Sequence, residues 1–292
     1  MPESKKKLVF LGVGDVARVL AAQAAGEFRL FGTTRSAERQ LEILSLGIEP
    51  ILLEGFKIDA FGKLTSGSVG PAALQSETLS VLLAGAYVVV SFPPDPDADS
   101  LACRLAADAD RIVYISSTVV YGKTQGVINE DTAVDGESLQ SQNRIEAERR
   151  WLEVGASVIR APGIYGRGNG LHQRLLNGTY RLPGDGSNYV SRIHVDDLSA
   201  MILSALFLNQ KQQVFLSGDS KPTTHREIVE WLVNRLNLPF PESLPLDQCH
   251  YTQRGNRRVD ASKSLAELGM VLKYPTYVEG YTRELEAAMS SS

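Results

Sequence analysis

Short apolar runs alternate with stretches in which apolar residues recur every three or four positions, and this rhythm governs the first half of the chain. Residues 8–11, Leu-Val-Phe-Leu, form a continuous apolar run of the kind a strand buried on both faces requires. Val16, Val19, Leu20 and Ala24 follow at helical spacing. Residues 29–33 predict a second strand, and 37–46 a helix with Ser36 as N-cap and Gly47 at its end. A third strand is expected over 48–53, where Pro50 favours a sheet edge because it cannot donate to a ladder. Residues 87–92 and 111–116, rich in Val and Ile, predict two more. Strands alternating with helices argue for an α/β chain: a Rossmann-like, doubly wound parallel sheet with helices on both faces.

Residues 55–70 break the rhythm with Gly, Ser and Lys, and read as an inserted loop. From about Ile164 the texture changes. Gly166, Gly168 and Gly170 space a loop, and Pro183-Gly184-Asp185-Gly186 makes a tight turn. Short strands are expected at 192–195 and 214–217, and helices at 197–208 and 226–236. The second helix has Thr224 and Glu227 as a capping box. The expected organisation is a dinucleotide-binding domain over 1–165, with a chain return at about 190–208, and a smaller C-terminal substrate-binding lobe over 166–292.

Composition narrows the field. The 292 residues are 43% hydrophobic and 22% charged, enough apolar material for a core and too much for a disordered chain. Thirty Lys and Arg against thirty-four Asp and Glu give a net charge of −4, which offers no footprint for nucleic acid or an acidic membrane. No run approaches the ~20 apolar residues of a membrane span, and the run over 8–13 is too short for a signal-peptide core. Cys103 and Cys249 cannot hold a metal alone and fit a reduced, cytoplasmic setting.

The first apolar run enters Gly12-Val-Gly14-Asp15-Val16-Ala17, a GxGxxA pattern between a strand and a helix. Gly12 allows the tight turn, and Gly14 lets a pyrophosphate approach bare backbone. Ala17 keeps helix and strand close, while the N–H groups opening the helix at Asp15 and Val16 face the phosphates. After the second strand comes Gly32-Thr33-Thr34-Arg35-Ser36. An acid there would bind a ribose diol. Instead Arg35 offers a fork of donors and Thr34 and Ser36 offer hydroxyls, which suits a 2′-phosphate and favours NADP over NAD. Phe92, Pro93 and Pro94 follow the fourth strand, where a loop at the strand's carboxyl end lies along the cofactor.

Four ordered segments carry a resemblance. Tyr114-Ile-Ser116-Ser117-Thr118-Val-Val-Tyr121-Gly122 resembles the fifth-strand signature of the extended short-chain dehydrogenases/reductases, the NAD-dependent epimerase/dehydratase superfamily. Arg160-Ala-Pro162-Gly163-Ile164-Tyr165-Gly166 and Arg192-Ile-His194-Val-Asp196-Asp197-Leu198 resemble two later family segments, and the glycine turn is the first of the four. The resemblance implies that the Ser117 hydroxyl binds a substrate oxygen, and that Ser116, Arg144, Pro162 and Ile164 attend the cofactor. It also implies a small-molecule substrate and pairing into homodimers. The acidic pair of the sugar-nucleotide dehydratases is absent, since Thr118 and Val119 stand in its place.

One departure concerns the chemistry. The family carries Tyr-x-x-x-Lys on the next helix. Aligning Ile145-Glu146-Ala147-Glu148 with the run after the lysine puts Arg144 at the lysine and Gln140 at the tyrosine, 23 residues after Ser117. Gln140 cannot ionise, and Arg144 can hold ribose hydroxyls but cannot shuttle a proton. The pattern is similar to an atypical, tyrosine-lacking branch of the family. Tyr121 is expected to overhang the pocket and Tyr165 to face it from the opposite wall, as alternative phenols. Asp196 and Asp197 read as caps of the next helix, His194 as structural, and His172 and Arg174 as candidates for substrate contact. Two functions stay open: an NADP(H)-dependent oxidoreductase or epimerase-like enzyme of a carbonyl, carbinol or nucleotide-sugar substrate, with Ser117, Tyr121, Gln140 and Arg144 as its catalytic set, or a catalytically silent protein that binds the cofactor and reports redox state.

Overall fold

The computed structural model describes residues 5–53, 57–58, 64–65, 71–209 and 213–290. The loop expected over 55–70 lies almost wholly outside the described residues.

Seven strands build the central parallel sheet: β1 (Lys6–Leu11), β2 (Phe28–Thr34), β3 (Glu49–Leu52), β4 (Tyr87–Val90), β5 (Arg111–Ser117), β6 (Ser157–Ala161) and β7 (Val214–Leu216). Their order across the sheet is β7-β6-β5-β4-β1-β2-β3. The chain winds outward from β1 to β3, then crosses back to place β4 beside β1, in register from Leu8 with Tyr87 to Leu11 with Val90. The strand order therefore reverses between β1 and β4, which is where an open α/β sheet binds ligands at its carboxyl edge. Every residue of β4 is buried, as strands covered on both faces require. Pro50 sits on the edge strand β3, where its missing N–H breaks no ladder.

The helices are α1 (Asp15–Ala24), α2 (Gln40–Ser45), α3 (Pro71–Leu83), α4 (Pro96–Leu105), α5 (Leu139–Glu153), α6 (Leu171–Leu176), α7 (Val195–Phe207), α8 (His225–Leu236), α9 (Ser262–Glu267) and α10 (Tyr277–Ser290). The helix expected over 37–46 splits into a 3-10 turn at Ala37–Arg39 followed by α2, and the Ser36 hydroxyl caps neither. It is held at 2.8 Å by the Glu38 carboxylate instead. Thr224 does cap α8, accepting from the Glu227 amide at 3.1 Å.

Two compact units divide the chain: 1–116 with 143–159 and 202–214, and 117–142 with 160–201 and 215–292. The boundary near 165 expected from composition is replaced by this interleaving, with returns to the first unit at 143–159 and 202–214. In the first unit, Val9, Leu11, Val88, Val90, Ile112 and Tyr114 pack with Trp151 of α5 in one apolar cluster. Each such aliphatic side chain, fully buried, contributes about 1.5–3 kcal/mol. The second unit has its own cluster, in which Tyr165, Tyr180, Leu182, Ile228, Leu232, Tyr277 and Tyr281 meet. Three short parallel pairs order it: Gly163–Tyr165 with Arg192–His194, Gly126–Ile128 with Arg257–Val259, and Leu182–Pro183 with Ser243–Leu244.

Candidate functional site

In the first unit the glycine turn links β1 to α1. Gly12 has φ +91°, a backbone state that L side chains rarely adopt, and a Cβ there would stand 3.3 Å from the Phe92 amide. Its own N–H is held by the Thr33 hydroxyl at 2.9 Å and its carbonyl by the Ser91 hydroxyl at 2.7 Å. Gly14 is the N-cap of α1, no side chain caps that end, and a Cβ on Gly14 would meet nothing within 4 Å. Ala17, fully buried, closes the helix onto the sheet. Fixed bare backbone, a helix start without a side-chain cap and open space over Gly14 together fit a dinucleotide's pyrophosphate. Asp15 and Val16 open the helix at that point.

Beyond β2, Arg35 is exposed. The Thr34 hydroxyl donates to the Ser36 carbonyl and accepts from its amide, a local turn that shapes the loop rather than leaving the hydroxyl for a phosphate. Phe92 and Pro94 are half-buried and Pro93 exposed, leading into α4. Asp95 caps that helix, accepting from Asp97 and Ala98. The expectation that Ser116 serves the cofactor is corrected: its side chain is buried, and its hydroxyl donates to the buried Glu148 carboxylate at 2.5 Å. Arg144 points back at β5, donating to the Tyr114 phenol at 3.1 Å and the Ile115 carbonyl at 3.4 Å. Tyr114 stacks on Trp151, whose indole N–H is held by buried Asp99 at 2.8 Å. Burial pushes the Tyr114 phenol far above its ordinary range.

Ser117 starts the second unit and lines a cavity of about 360 Å³. Its hydroxyl accepts from the Val119 amide at 3.3 Å, so its proton remains free for another acceptor. Pro162, Ile164 and Arg174 line the same cavity, as do Tyr165, Tyr180, Arg192, His225 and Arg257.

Tyr121 does not overhang this cavity. It is wholly buried, its phenol donating to the Asn129 carbonyl at 3.1 Å and accepting from Arg160 at 3.0 Å. The apolar-aromatic setting of the Tyr-Gly motif gave no sign of that internal partner. Tyr165 lies on the wall, but its hydroxyl is buried against Gly280 and burial lifts its pKa far up, so it holds its proton at neutral pH. Gln140 is exposed at the start of α5 and is not among the cavity's lining residues. His172, a candidate for substrate contact, is buried against Tyr281 and is not among the cavity's lining residues.

His194 is structural: its Nδ1 accepts from the Asp196 amide at 3.1 Å and its Nε2 meets Glu284 at 3.2 Å. Asp196 and Asp197 do not cap α7, because that helix begins ahead of both, at Val195. Asp197 instead accepts from the Lys273 and Tyr274 amides at 2.7 and 2.9 Å, and Asp196 pairs with Arg167 and Lys273. The residues that sequence reasoning missed are Arg192, His225 and Arg257. They are scattered over 66 positions, and nothing in the pattern announces that they share a wall. Among the described residues no group of His, Cys, Asp and Glu could hold a metal, and no helix is long and apolar enough to cross a membrane.

The chain has the Rossmann-like fold of the NAD-dependent epimerase/dehydratase proteins. Among solved structures, a conserved protein of unknown function from Silicibacter pomeroyi matches with TM-score 0.78 at 26% identity, over 99% of each chain. The dTDP-glucose 4,6-dehydratase of Bacillus anthracis, in complex with NAD, matches with TM-score 0.76 at 18% identity, over 98% of this chain and 97% of that one. The UDP-glucuronic acid 4-epimerase of Bacillus cereus, in complex with UDP-glucuronic acid and NAD, matches with TM-score 0.74 at 16% identity, over 98% of this chain and all of that one. No protein-family model matches the chain, and no curated protein matches it by sequence.

Proposed function

We propose that this protein is an NAD(P)-dependent oxidoreductase, or an epimerase-like enzyme of the same chemistry, that works on a carbinol or carbonyl carbon without an ionisable phenol. The observation that carries the reading is the β1–α1 crossover, with Gly12 at φ +91° and open space over Gly14. It stands on a fold whose Bacillus representatives are recorded with NAD. The backbone of 12–16 would hold the pyrophosphate, Arg35 the adenosine end, and Phe92, Pro93 and Pro94 the flank. Exposed Arg35, with no carboxylate at the end of β2, favours NADP(H) over NAD(H). When bound, the nicotinamide supplies or accepts a hydride.

Ser117 hydrogen-bonds the substrate oxygen. In the oxidising direction the carbinol proton leaves that oxygen for water, because none of the side chains that could replace the missing phenol takes it. Gln140 does not ionise, the Arg144 guanidinium donates to Tyr114 and Ile115, the Tyr121 phenol is paired, and the Tyr165 phenol is buried. Arg144 acts through Tyr114 and Ile115, fixing the stretch of β5 that ends at Ser117. Turnover is accordingly slow, since general acid–base help is worth roughly 10²–10⁴-fold.

A second reading, a silent protein that reports nicotinamide redox state, is favoured by one observation: none of Gln140, Tyr121 and Tyr165 offers a proton carrier. The two part in a single experiment. NADPH fluorescence should report binding under both, and only the enzyme should oxidise NADPH against a panel of aldehydes, ketones and nucleotide sugars.

A further inference from the structure

The cavity of the second unit is lined by three arginines, Arg174, Arg192 and Arg257, and by no aspartate or glutamate. None of the three forms an ion pair with a carboxylate among the described residues. Arg192 is only 7% exposed. Its guanidinium has the Tyr281 phenol as a hydrogen-bond partner and no carboxylate in contact among the described residues. A guanidinium withdrawn from water without a paired carboxylate is costly, and an arriving oxyanion relieves that cost with charge-assisted hydrogen bonds. Asp219 is the carboxyl whose charge acts on Arg192, and at neutral pH it supplies only part of a counter-charge. Its amide donates to the Arg192 carbonyl at 2.7 Å, and burial pushes its carboxyl up to about 7.

His225 adds a neutral donor. It lines the same cavity, is 5% exposed, and sets its Nδ1 3.1 Å from the Tyr180 phenol oxygen. A phenol with that one partner donates its proton, which leaves the imidazole proton on Nε2. Nε2 finds no partner among the described residues. Burial and the charges of Arg192 and Arg174 push the imidazole down to about 3, so this neutral tautomer persists across the physiological range. The cavity thus presents donors from four side chains and no carboxylate acceptor. Gly255 lies under the Arg257 guanidinium: a Cβ there would stand 2.9 Å from it, and the arginine would have to shift to make room.

We infer that the cavity binds a small organic oxyanion, a carboxylate or a phosphate monoester, clamped by Arg192 with Arg174 and Arg257, while His225 Nε2–H donates to a ligand oxygen. A volume of about 360 Å³ sits at the lower end of the 300–1,000 Å³ range of ligand pockets, which suits a compact acid. That the acid is the substrate rests on the oxidoreductase reading. That the cavity binds it does not.

The test is calorimetric titration of the full chain, without cofactor and at constant ionic strength. Gluconate is compared with sorbitol, and glucose 6-phosphate with glucose. One acid should bind at least about tenfold more tightly than its neutral counterpart, and whichever does so identifies the source of the oxyanion. Arg174→Gln, on an exposed side chain, should weaken it about tenfold or more, as loss of a charge-assisted bond does. Arg192→Leu should abolish it. If neither acid binds in the millimolar range, if acid and neutral partner bind alike, or if Arg174→Gln changes nothing, the inference is overturned. Acid binding in a chain that takes up neither NADPH nor NADH would sink the oxidoreductase reading and leave this one standing.

Discussion

The Tyr165 hydroxyl occupies the space that any side chain at Gly280 would need: a Cβ there would lie 1.9 Å from it. Tyr165 stacks on Tyr281 at 4.4 Å and meets His194 edge-on at 5.2 Å, so the ring has nowhere to retreat. Gly280→Ala should gain about 1 kcal/mol of helix propensity in α10 and still lose stability by about 1–3 kcal/mol through overpacking. Chemical denaturation of the single and of Gly280→Ala/Tyr165→Phe checks this, with part of the loss recovered in the double. Tyr165→Phe alone should leave turnover unchanged, because its hydroxyl serves the core.

Gly14 separates folding from binding. Since a Cβ there meets nothing within 4 Å, Gly14→Val should alter stability by about 1 kcal/mol or less. The same substitution places methyls where a pyrophosphate would approach, so NADPH affinity should fall about tenfold or more. Thermal melts and NADPH fluorescence on the same preparation read both.

Under the proposed reading, Arg35 would set the cofactor preference. Arg35→Glu removes the donor fork and repels a 2′-phosphate, and should weaken NADPH binding by about 1.5–3 kcal/mol while sparing NADH. Equal losses for the two cofactors would show that Arg35 does not read the 2′ position.

Two buried groups in the second unit oppose each other in their pH dependence. His225 titrates at about 3 in the fold, against an ordinary 6.5, because burial, then Arg192 and Arg174, disfavour its cation. The unfolded chain takes that proton first, so this contribution to stability is full above about pH 6.5 and is lost as pH falls toward 3. Asp219 runs the other way. Burial raises it from 3.8 to about 7, so the folded chain holds the extra proton and stability declines as pH climbs between those values. His225→Gln should flatten the acid limb of a urea-midpoint profile, and Asp219→Asn the limb between pH 4 and 7.

The sheet was legible in the sequence because its strands are continuous apolar runs and its turns carry Gly and Pro at places with one physical meaning. Leu8-Val9-Phe10-Leu11, Pro50 on the edge and the Gly12–Ala17 crossover all stand where their chemistry puts them. Helix α3 was not legible, since Pro71–Leu83 carries no polar-apolar stripe to mark it. The partners of buried polar groups were hidden too. Tyr121 looks like a pocket residue until Arg160, 39 positions away, takes its phenol, and Ser116 looks like a cofactor ligand until Glu148 takes its hydroxyl. Local pattern reports periodicity and turn chemistry, whereas such long-range pairings depend on how the chain returns to itself.

The central claim, that the β1–α1 crossover grips a nicotinamide dinucleotide, is tested most directly by titrating the full chain with NADPH and with NADH in a calorimeter. The account predicts one site per chain, tighter for NADPH, and lost in Gly14→Val. Absence of binding by either dinucleotide at millimolar concentration would contradict it.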